Sequence, residues 1–150
     1  MKTVLKLFLI SCFLLPACIS FSIRPPDLPD NLLEEMTLGK SVNVSKDPWY
    51  VTDISSSFSL QDGSLVCFVK IRYVEQEIRL RWKWYSPQNS VAKDTGDVIV
   101  NSDRQYLDEV TAYDTFRFKP ESETAGKWIV AFFIDNTLAG KRAFVISKEE

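Results

Sequence analysis

Hydrophobic and polar residues alternate with period two over much of the chain after Trp49, a pattern typical of β-strands with one buried face. The clearest segments are residues 78–85 and 128–134, whose apolar positions fall on one face (Ile78, Leu80, Trp82, Trp84; Trp128, Val130, Phe132, Ile134). Turn-forming pairs such as Asp62-Gly63 and Asp135-Asn136 separate these segments. The pattern therefore predicts an all-β domain, a single antiparallel β-sandwich of about seven strands over residues 48–150.

Two segments of this domain resemble bacterial immunoglobulin-like or fibronectin-like modules. The first is Trp82-Lys83-Trp84-Tyr85-Ser86-Pro87, a strand that ends in a polar-proline turn. The second is a final hairpin that opens with Gly126-Lys127-Trp128 and returns through Phe144-Val145-Ile146. The resemblance implies an immunoglobulin-like sandwich without fixing a function, because such sandwiches have many roles. The antibody-type cysteine pair is absent, so we expect aromatic burial to hold the core together.

Residues 1–17 have the layout of a secretory signal peptide. Lys2 and Lys6 give a positive start, an apolar run covers residues 7–15, and the small Ala17 precedes Cys18. The run is shorter than the roughly 20 apolar residues that a transmembrane helix needs.

The end of this leader, Leu15-Pro16-Ala17-Cys18, resembles the lipobox of bacterial lipoproteins. The resemblance implies that Cys18 becomes the first mature residue and receives a lipid that anchors the chain to a membrane. A rival motif, Leu9-Ile10-Ser11-Cys12, would leave a much shorter apolar run before it. Plain secretion without a lipid, or an uncleaved anchor, would also fit this leader. In lipoproteins of enteric-type bacteria, an aspartate directly after the lipidated cysteine signals retention at the inner membrane. Since Ile19 stands there, the resemblance implies the outer membrane, facing the periplasm of a bacterial cell envelope.

Residues 18–47 are predicted to be a proline-containing tether between the anchor and the domain. Within the tether, residues 29–36 predict a short helix, with Asp30 as N-cap and Gly39 after its end. The segment is either a spacer or a docking segment that orders on a partner.

The amino-acid composition excludes or disfavours several classes of function. The chain has 150 residues, with Lys+Arg 18 against Asp+Glu 20 and no histidine. The net charge of -2 argues against a nucleic-acid partner. Without histidine, imidazole-based catalysis and histidine-ligated metal sites are excluded. We expect no catalytic residues, because the carboxylates at 94, 97, 103, 108, 109 and 114 show no spacing that selects a pair. The sequence has no calcium-loop run of the form Asp-x-Asp-x-Asp-Gly, so we expect no metal site. We also expect no cofactor. Cys67 lies in an apolar run and is expected to be a buried small hydrophobe.

A basic face is the first candidate site. If residues 66–73 and 78–85 pair as a hairpin, one outward face carries five basic side chains, namely Lys70, Arg72, Arg79, Arg81 and Lys83. Like charges on neighbouring strands need compensation. The face is therefore either a platform for an acidic glycan, an anionic lipid or an acidic protein, or a solvated surface balanced by nearby acids.

An apolar stripe is the second candidate site. Ile129, Ala131 and Phe133 lie on the side of their strand where solvent-facing residues should be polar. Ala143 and Val145 fall beside them on the return strand. The tether, a partner protein or a second copy of the chain could cover this stripe.

These patterns favour a membrane-anchored envelope lipoprotein that acts as a non-catalytic protein-interaction or structural module. It could be an accessory subunit of an envelope assembly with a protein partner. The alternative is a glycan- or anionic-lipid-binding module that uses the basic face. The oligomeric state stays open.

Overall fold

The alternation along the chain is realised as strands in the computed structural model, which describes residues 32–118 and 125–148. The predicted signal peptide, both candidate lipidation cysteines and residues 18–31 of the predicted tether lie outside the described residues. Eleven strands form within the described ranges: β1 (Leu33–Gly39), β2 (Ser41–Asn43), β3 (Tyr50–Thr52), β4 (Ser57–Ser59), β5 (Ser64–Val74), β6 (Ile78–Tyr85), β7 (Val91–Asp94), β8 (Val98–Val100), β9 (Leu107–Arg117), β10 (Gly126–Ile134) and β11 (Thr137–Ser147).

Two sheets make the sandwich. The smaller sheet has the order β1-β5-β9, and the larger has the order β4-β11-β10-β6-β7, with β8 also paired to β6. All pairs are antiparallel except β4 with β11. This arrangement sets the A, B and E strands of an immunoglobulin-like sandwich against its C, F and G strands, with β6, β10 and β11 as the latter three. The strand topology confirms the predicted immunoglobulin-like β-sandwich.

Aromatic side chains fill the space between the sheets, as the absence of a cysteine pair led us to expect. Phe116 of the smaller sheet packs against two tryptophans of the larger sheet, with ring centroids 5.1 Å from Trp84 and 4.9 Å from Trp128. Trp82 packs against Phe132 at 4.9 Å within the larger sheet. Offset and tilted ring pairs of this kind stabilise a core beyond the area that they bury.

Cys67 lies in this core and is fully buried. Burial raises the pKa of the Cys67 thiol to about 12, so the thiol stays protonated at neutral pH. The prediction that Cys67 is a buried small hydrophobe is confirmed.

The predicted helix over residues 29–36 is wrong for its described part, which belongs to strand β1. Met36 and Leu38 face the core from β1, and Met36 lies opposite Val69 in β5. Long-range pairing with β5 supplies the backbone partners that outweigh a local preference for helix. The sandwich therefore includes residues 33–43, and the predicted domain start at residue 48 is too late.

The β2–β3 ribbon lies over the outer side of the smaller sheet. Phe68 and Val66 point to that side yet are buried. In the ribbon, β3 contacts β1 and β2 contacts β5. Gly39 allows the close approach, because a Cβ at this position would lie 2.6 Å from the carbonyl oxygen of Thr52. Trp49, just before β3, packs edge-on against Tyr113 of β9 at 6.1 Å.

A group of hydrogen bonds links the two sheets on the flank where β7 and β9 approach each other. The carboxylate of Asp114 in β9 accepts hydrogen bonds from Trp84 Nε1 at 2.7 Å and from Lys93 Nζ at 2.6 Å. Lys93 Nζ also donates to the carbonyl oxygen of Thr115 at 2.7 Å. Asp114 therefore serves as a structural acid, which leaves both the tryptophan and the lysine with an acceptor.

Candidate interaction surface

The outer face of the larger sheet carries a group of apolar side chains. Strand register sets Ile129 between Ala143 of β11 and Tyr85 of β6, and Phe133 between Leu138 and Arg81. Val145 follows Ala143 on the same side of β11. We call this group the outer apolar patch (Ile129, Phe133, Leu138, Ala143 and Val145). The structure thus brings together Ile129, Phe133 and Val145, as the sequence predicted, with Ala143 beside them, and it adds Leu138. Ala131, which the sequence also placed on this side, is buried.

The tight turn between β10 and β11 determines which side chains point outward. Asp135 and Asn136 both have positive φ, at 48° and 66°, the backbone form that Asn and Asp tolerate in two-residue hairpin turns. Asp135 Oδ1 also accepts from the backbone N–H of Arg79, which fixes the turn against β6. A register shift between Phe132 and Phe133 aligns Phe133 with Leu138, while Phe132 stays in the core.

The patch combines exposed and half-buried residues. Val145 is 44% exposed and Leu138 is 52% exposed, whereas Ile129 and Phe133 are half-buried. Basic side chains border the patch: Lys83 Nζ lies 5.4 Å from the centroid of the Phe133 ring, a cation–π contact. An apolar centre with a charged border is the usual composition of a protein–protein contact surface.

The predicted basic face does not form, because β5 and β6 do not pair. β5 lies in the smaller sheet and β6 in the larger, so Lys70 and Arg72 are separated from Arg79, Arg81 and Lys83. A hairpin between consecutive strands is the commoner connection, but here the chain crosses from one sheet to the other.

Each of the five bases also has an acidic partner. Lys70 Nζ lies 3.5 Å from Glu109, and Arg72 pairs with Glu34. Arg81 makes two hydrogen bonds of 2.7 Å to Asp94. Lys83 lies 4.0 Å from Asp94, and Arg79 lies 4.0 Å from Asp97. Acids placed among the bases leave little unbalanced positive charge, so these residues form a solvated, charge-balanced surface rather than a platform for anions.

The Arg81–Asp94 pair gives this surface a pH dependence. Hydrogen bonds from the Arg81 guanidinium hold the pKa of Asp94 at about 2, below its ordinary value of 3.8. The pKa is lower in the folded state than in the unfolded chain, so the stabilisation is present above pH 4 and declines as the pH falls toward 2.

We expect the Asp94→Asn variant to be less stable than the wild type at pH 7 by about 1 kcal/mol or less, as is usual for an exposed ion pair. The difference should shrink between pH 4 and pH 2, as wild-type Asp94 becomes protonated. Urea unfolding midpoints of both proteins across this pH range measure the difference in stability. Asp97→Asn is the control, because Asp97 contacts its arginines only at 3.8 and 4.0 Å. A stability difference that grows on acidification would contradict the assignment.

No group of three or more cysteine, aspartate and glutamate side chains in residues 32–118 and 125–148 is placed to hold a metal ion. The same ranges contain no helix with the length and apolar character to cross a bilayer.

Comparison with known proteins finds similarity only among solved structures. No protein-family model matches the chain, and no curated protein matches its sequence. An immunoglobulin-like protein from Pseudomonas aeruginosa is 12% identical over 78% of this chain and 95% of its own, with a TM-score of 0.46. An alkylpurine DNA glycosylase from Pseudomonas fluorescens, solved bound to DNA with an abasic site analog, is 11% identical with a TM-score of 0.39. The match covers 61% of this chain but 27% of the glycosylase. The immunoglobulin-like assignment therefore rests on the strand topology of the chain itself.

Proposed function

We propose that this chain is a lipid-anchored bacterial envelope protein whose β-sandwich is a non-catalytic protein-interaction or structural module. The observation that carries the interaction role is the outer apolar patch. The outer side of an antiparallel sheet is ordinarily polar, and apolar side chains grouped on that side, with Leu138 and Val145 exposed among them, are typical of a contact surface. The proposed partner is an envelope protein with an apolar surface of its own.

The anchor is the part of the proposal that rests on sequence. Leu15-Pro16-Ala17-Cys18 follows an apolar run and a positive start, and Cys18 is the proposed lipid attachment site. Acyl chains contribute about 0.8 kcal/mol for each buried CH₂, so two or more chains would hold the protein durably at a membrane. We place it at the outer membrane, facing the periplasm, as an accessory subunit of an envelope assembly.

Site-specific photo-crosslinking in intact cells tests both parts. With a photoreactive amino acid at position 145, we expect a discrete crosslinked product that disappears when Phe133→Asp is added, because a hydrated carboxylate in place of the ring disrupts an apolar contact. The same probe at position 106 is the matched control, since Tyr106 is 57% exposed but lies outside the patch. The Cys18→Ser variant should leave the membrane fraction and lose the crosslink, and mass spectrometry of residue 18 reports the lipid directly.

Three results would count against the proposal. Equal crosslinking at positions 145 and 106 would mean that the patch is not selective. A product of twice the chain mass would assign the patch to a second copy instead of a partner protein. An unmodified Cys18 in a protein that remains free of the membrane would remove the anchor, although the patch could still bind a partner.

A further inference from the structure

Strand β9 has one unpaired side. Within residues 32–118 and 125–148, β9 pairs with β5 alone and so forms the edge of the smaller sheet. In an immunoglobulin constant-type sandwich, a D strand occupies this side. Here the chain between β7 and β9 instead places β8 on β6 of the opposite sheet. The result is an eleven-residue edge strand, which offers backbone groups to a further strand.

The opposite edge of the same sheet is partly covered by other segments. Arg142 Nε donates to the carbonyl oxygen of Met36 in β1 at 3.0 Å. The backbone N–H of Ser55 donates to the carbonyl oxygen of Leu38 at 3.2 Å. Groups from outside the smaller sheet therefore occupy outward acceptors of β1, which sets β9 apart.

The direction of the backbone groups in β9 follows from a hydrogen bond at its end. The N–H of Phe118, just after β9, donates to the carbonyl oxygen of Gly63 at 2.8 Å, on the side of β5. Because backbone direction alternates along a strand, the odd-numbered residues of β9 point their N–H and C=O groups away from β5. In the middle of the strand these residues are Glu109, Thr111 and Tyr113. No other residue that the structure describes hydrogen-bonds to their outward groups.

Lys93 limits the free part of the edge at one end. Its Nζ donates to the carbonyl oxygen of Thr115 at 2.7 Å, from the side away from β5, which agrees with the alternation. The uncovered part therefore spans residues 107–113, about 23 Å of strand at roughly 3.3 Å per residue. We call this part the free β9 edge (residues 107–113).

The core is incomplete along the free β9 edge. Val110 and Ala112 face the core from β9 but remain half-buried. Their register partners in β5, Ile71 and Val69, are fully buried. A further strand with apolar residues on its inner face would cover the half-buried pair and gain the free energy of that burial.

An aromatic pair borders the same edge on the outer face of the smaller sheet. Tyr113 is 41% exposed, and Trp49, which packs edge-on against it, is 37% exposed. Half-buried Thr111 lies next to Tyr113 on this face. When a strand is added to a sheet, backbone hydrogen bonds provide affinity, and contacts with alternate side chains provide specificity. The free β9 edge offers such contacts on both faces.

Negative charge is concentrated where β9 begins. Asp108 and Glu109 are the second and third residues of the strand, and both are exposed. Lys70 lies 3.5 Å from Glu109, whereas Asp108 forms no ion pair within the described ranges. A hydrogen bond to Asp108, together with the charges of Asp108 and Glu75, raises the pKa of Tyr106. A basic residue on an added strand would complement this charge, because opposite charges on paired strands stabilise the pairing.

We propose that the free β9 edge is a strand-addition site for an extended segment of a partner protein, paired antiparallel with β9. The segment carries apolar side chains beside Val110 and Ala112 and basic side chains opposite Asp108 and Glu109. Antiparallel pairing continues the pattern of the smaller sheet and is slightly more stable per residue than parallel pairing. The site does not involve the outer apolar patch of the larger sheet, so the inference and the proposed function can fail separately.

A second copy of the chain fits the free β9 edge less well than a basic segment. The edge would then pair with itself about a two-fold axis. With the axis at Thr111, Asp108 would lie opposite Asp114 of the second copy, and the interface would collect acids from both copies. Like charges directly opposite each other destabilise paired strands.

A synthetic peptide and the full chain test the site. The capped peptide Thr-Val-Thr-Val-Lys-Lys-Thr, paired antiparallel, places its valines beside Ala112 and Val110 and its lysines opposite Glu109 and Asp108. We expect it to bind and, at saturation, to slow exchange of the outward amides of the free β9 edge at least about tenfold, because it supplies their acceptors. Fluorescence anisotropy of the labelled peptide measures binding, and hydrogen exchange followed by nuclear magnetic resonance measures the protection.

Two control peptides separate backbone pairing from charge. Methylation of the backbone nitrogens of the third and fifth residues keeps every side chain but removes donors that face β9, so the affinity should fall at least about tenfold. Glutamate in place of both lysines should also weaken binding, and most strongly at low salt.

Two variants of the protein locate the site. Thr111→Pro removes one outward N–H and leaves the hydrogen bonds to β5 in place, so it should weaken binding of the peptide. Phe133→Asp changes the outer apolar patch and should leave binding of the peptide unchanged. Urea unfolding checks that Thr111→Pro is folded. If it is not, the methylated peptide still decides whether the backbone of β9 pairs.

Four outcomes would overturn the inference. Absence of binding would mean that the edge does not accept a strand. Equal affinity of the methylated and unmethylated peptides would mean that backbone pairing is not the cause. Slow exchange of the outward amides without peptide would mean that the edge is already covered. Slow exchange that depends on protein concentration, with a dimer mass in light scattering, would assign the edge to a second copy.

Discussion

The Trp84→Ala variant is expected to lose about 3–5 kcal/mol of unfolding free energy, a large fraction of the roughly 5–15 kcal/mol by which native domains are stable. Trp84 is fully buried and packs against Phe116 at 5.1 Å and Phe144 at 5.9 Å. Its removal leaves a cavity that both sheets line. The substitution also removes the indole N–H that donates a hydrogen bond to the Asp114 carboxylate. Urea unfolding followed by far-ultraviolet circular dichroism measures the loss.

Two further variants separate the causes. Trp84→Phe keeps an aromatic ring in the core but removes the donor to Asp114, so its cost should be intermediate. Trp49→Ala removes a tryptophan that is 37% exposed and touches Tyr113 from the outside, so its cost should be about 1 kcal/mol or less. Equal losses for Trp84→Ala and Trp49→Ala would refute the idea that cross-sheet aromatic packing is the main support of the fold.

The strands that the sequence predicts best are those whose alternation is strict. In β6 and β10, each tryptophan occurs in a period-two pattern, and the inward positions are all buried in the structure. Such segments can be assigned without knowing their partners, because one buried face is enough to produce the pattern. The sandwich class follows from the number of these segments and the short turns between them.

Pairing partners are harder to predict because they depend on distant parts of the chain. The hairpin expected between β5 and β6 is replaced by a crossing between sheets, and Lys70 consequently lies far from Lys83 in the fold. The acids that neutralise Arg81 and Arg79 come from a segment that returns to β6 after its turn. No local pattern in the sequence specifies that return.

Only part of the outer apolar patch could be predicted from the sequence. Ile129 and Phe133 are predictable because their strand is apolar on both faces. Leu138 is not, because its place beside Phe133 depends on the register shift in the β10–β11 hairpin. A one-residue difference in register would move Leu138 to the other side of β11.

The Met36→Asp variant is expected to lose about 3–5 kcal/mol of unfolding free energy, although residue 36 lies in a segment whose sequence predicts a tether. Met36 is 4% exposed and faces the core from β1, opposite Val69. A carboxylate there would be buried among apolar side chains, so it would have to be protonated or draw the strand out of the core. Urea unfolding of the full chain measures the effect.

Glu34→Ala, two residues earlier in β1, is the matched control. Glu34 is exposed and pairs with Arg72 at the surface, so its loss should have a small effect, as is usual for an exposed ion pair. If β1 were a spacer outside the domain, both variants would have equally small effects. A large loss for Met36→Asp alone would place the start of the domain at β1, because a charge destabilises a fold strongly only where its side chain is buried in that fold.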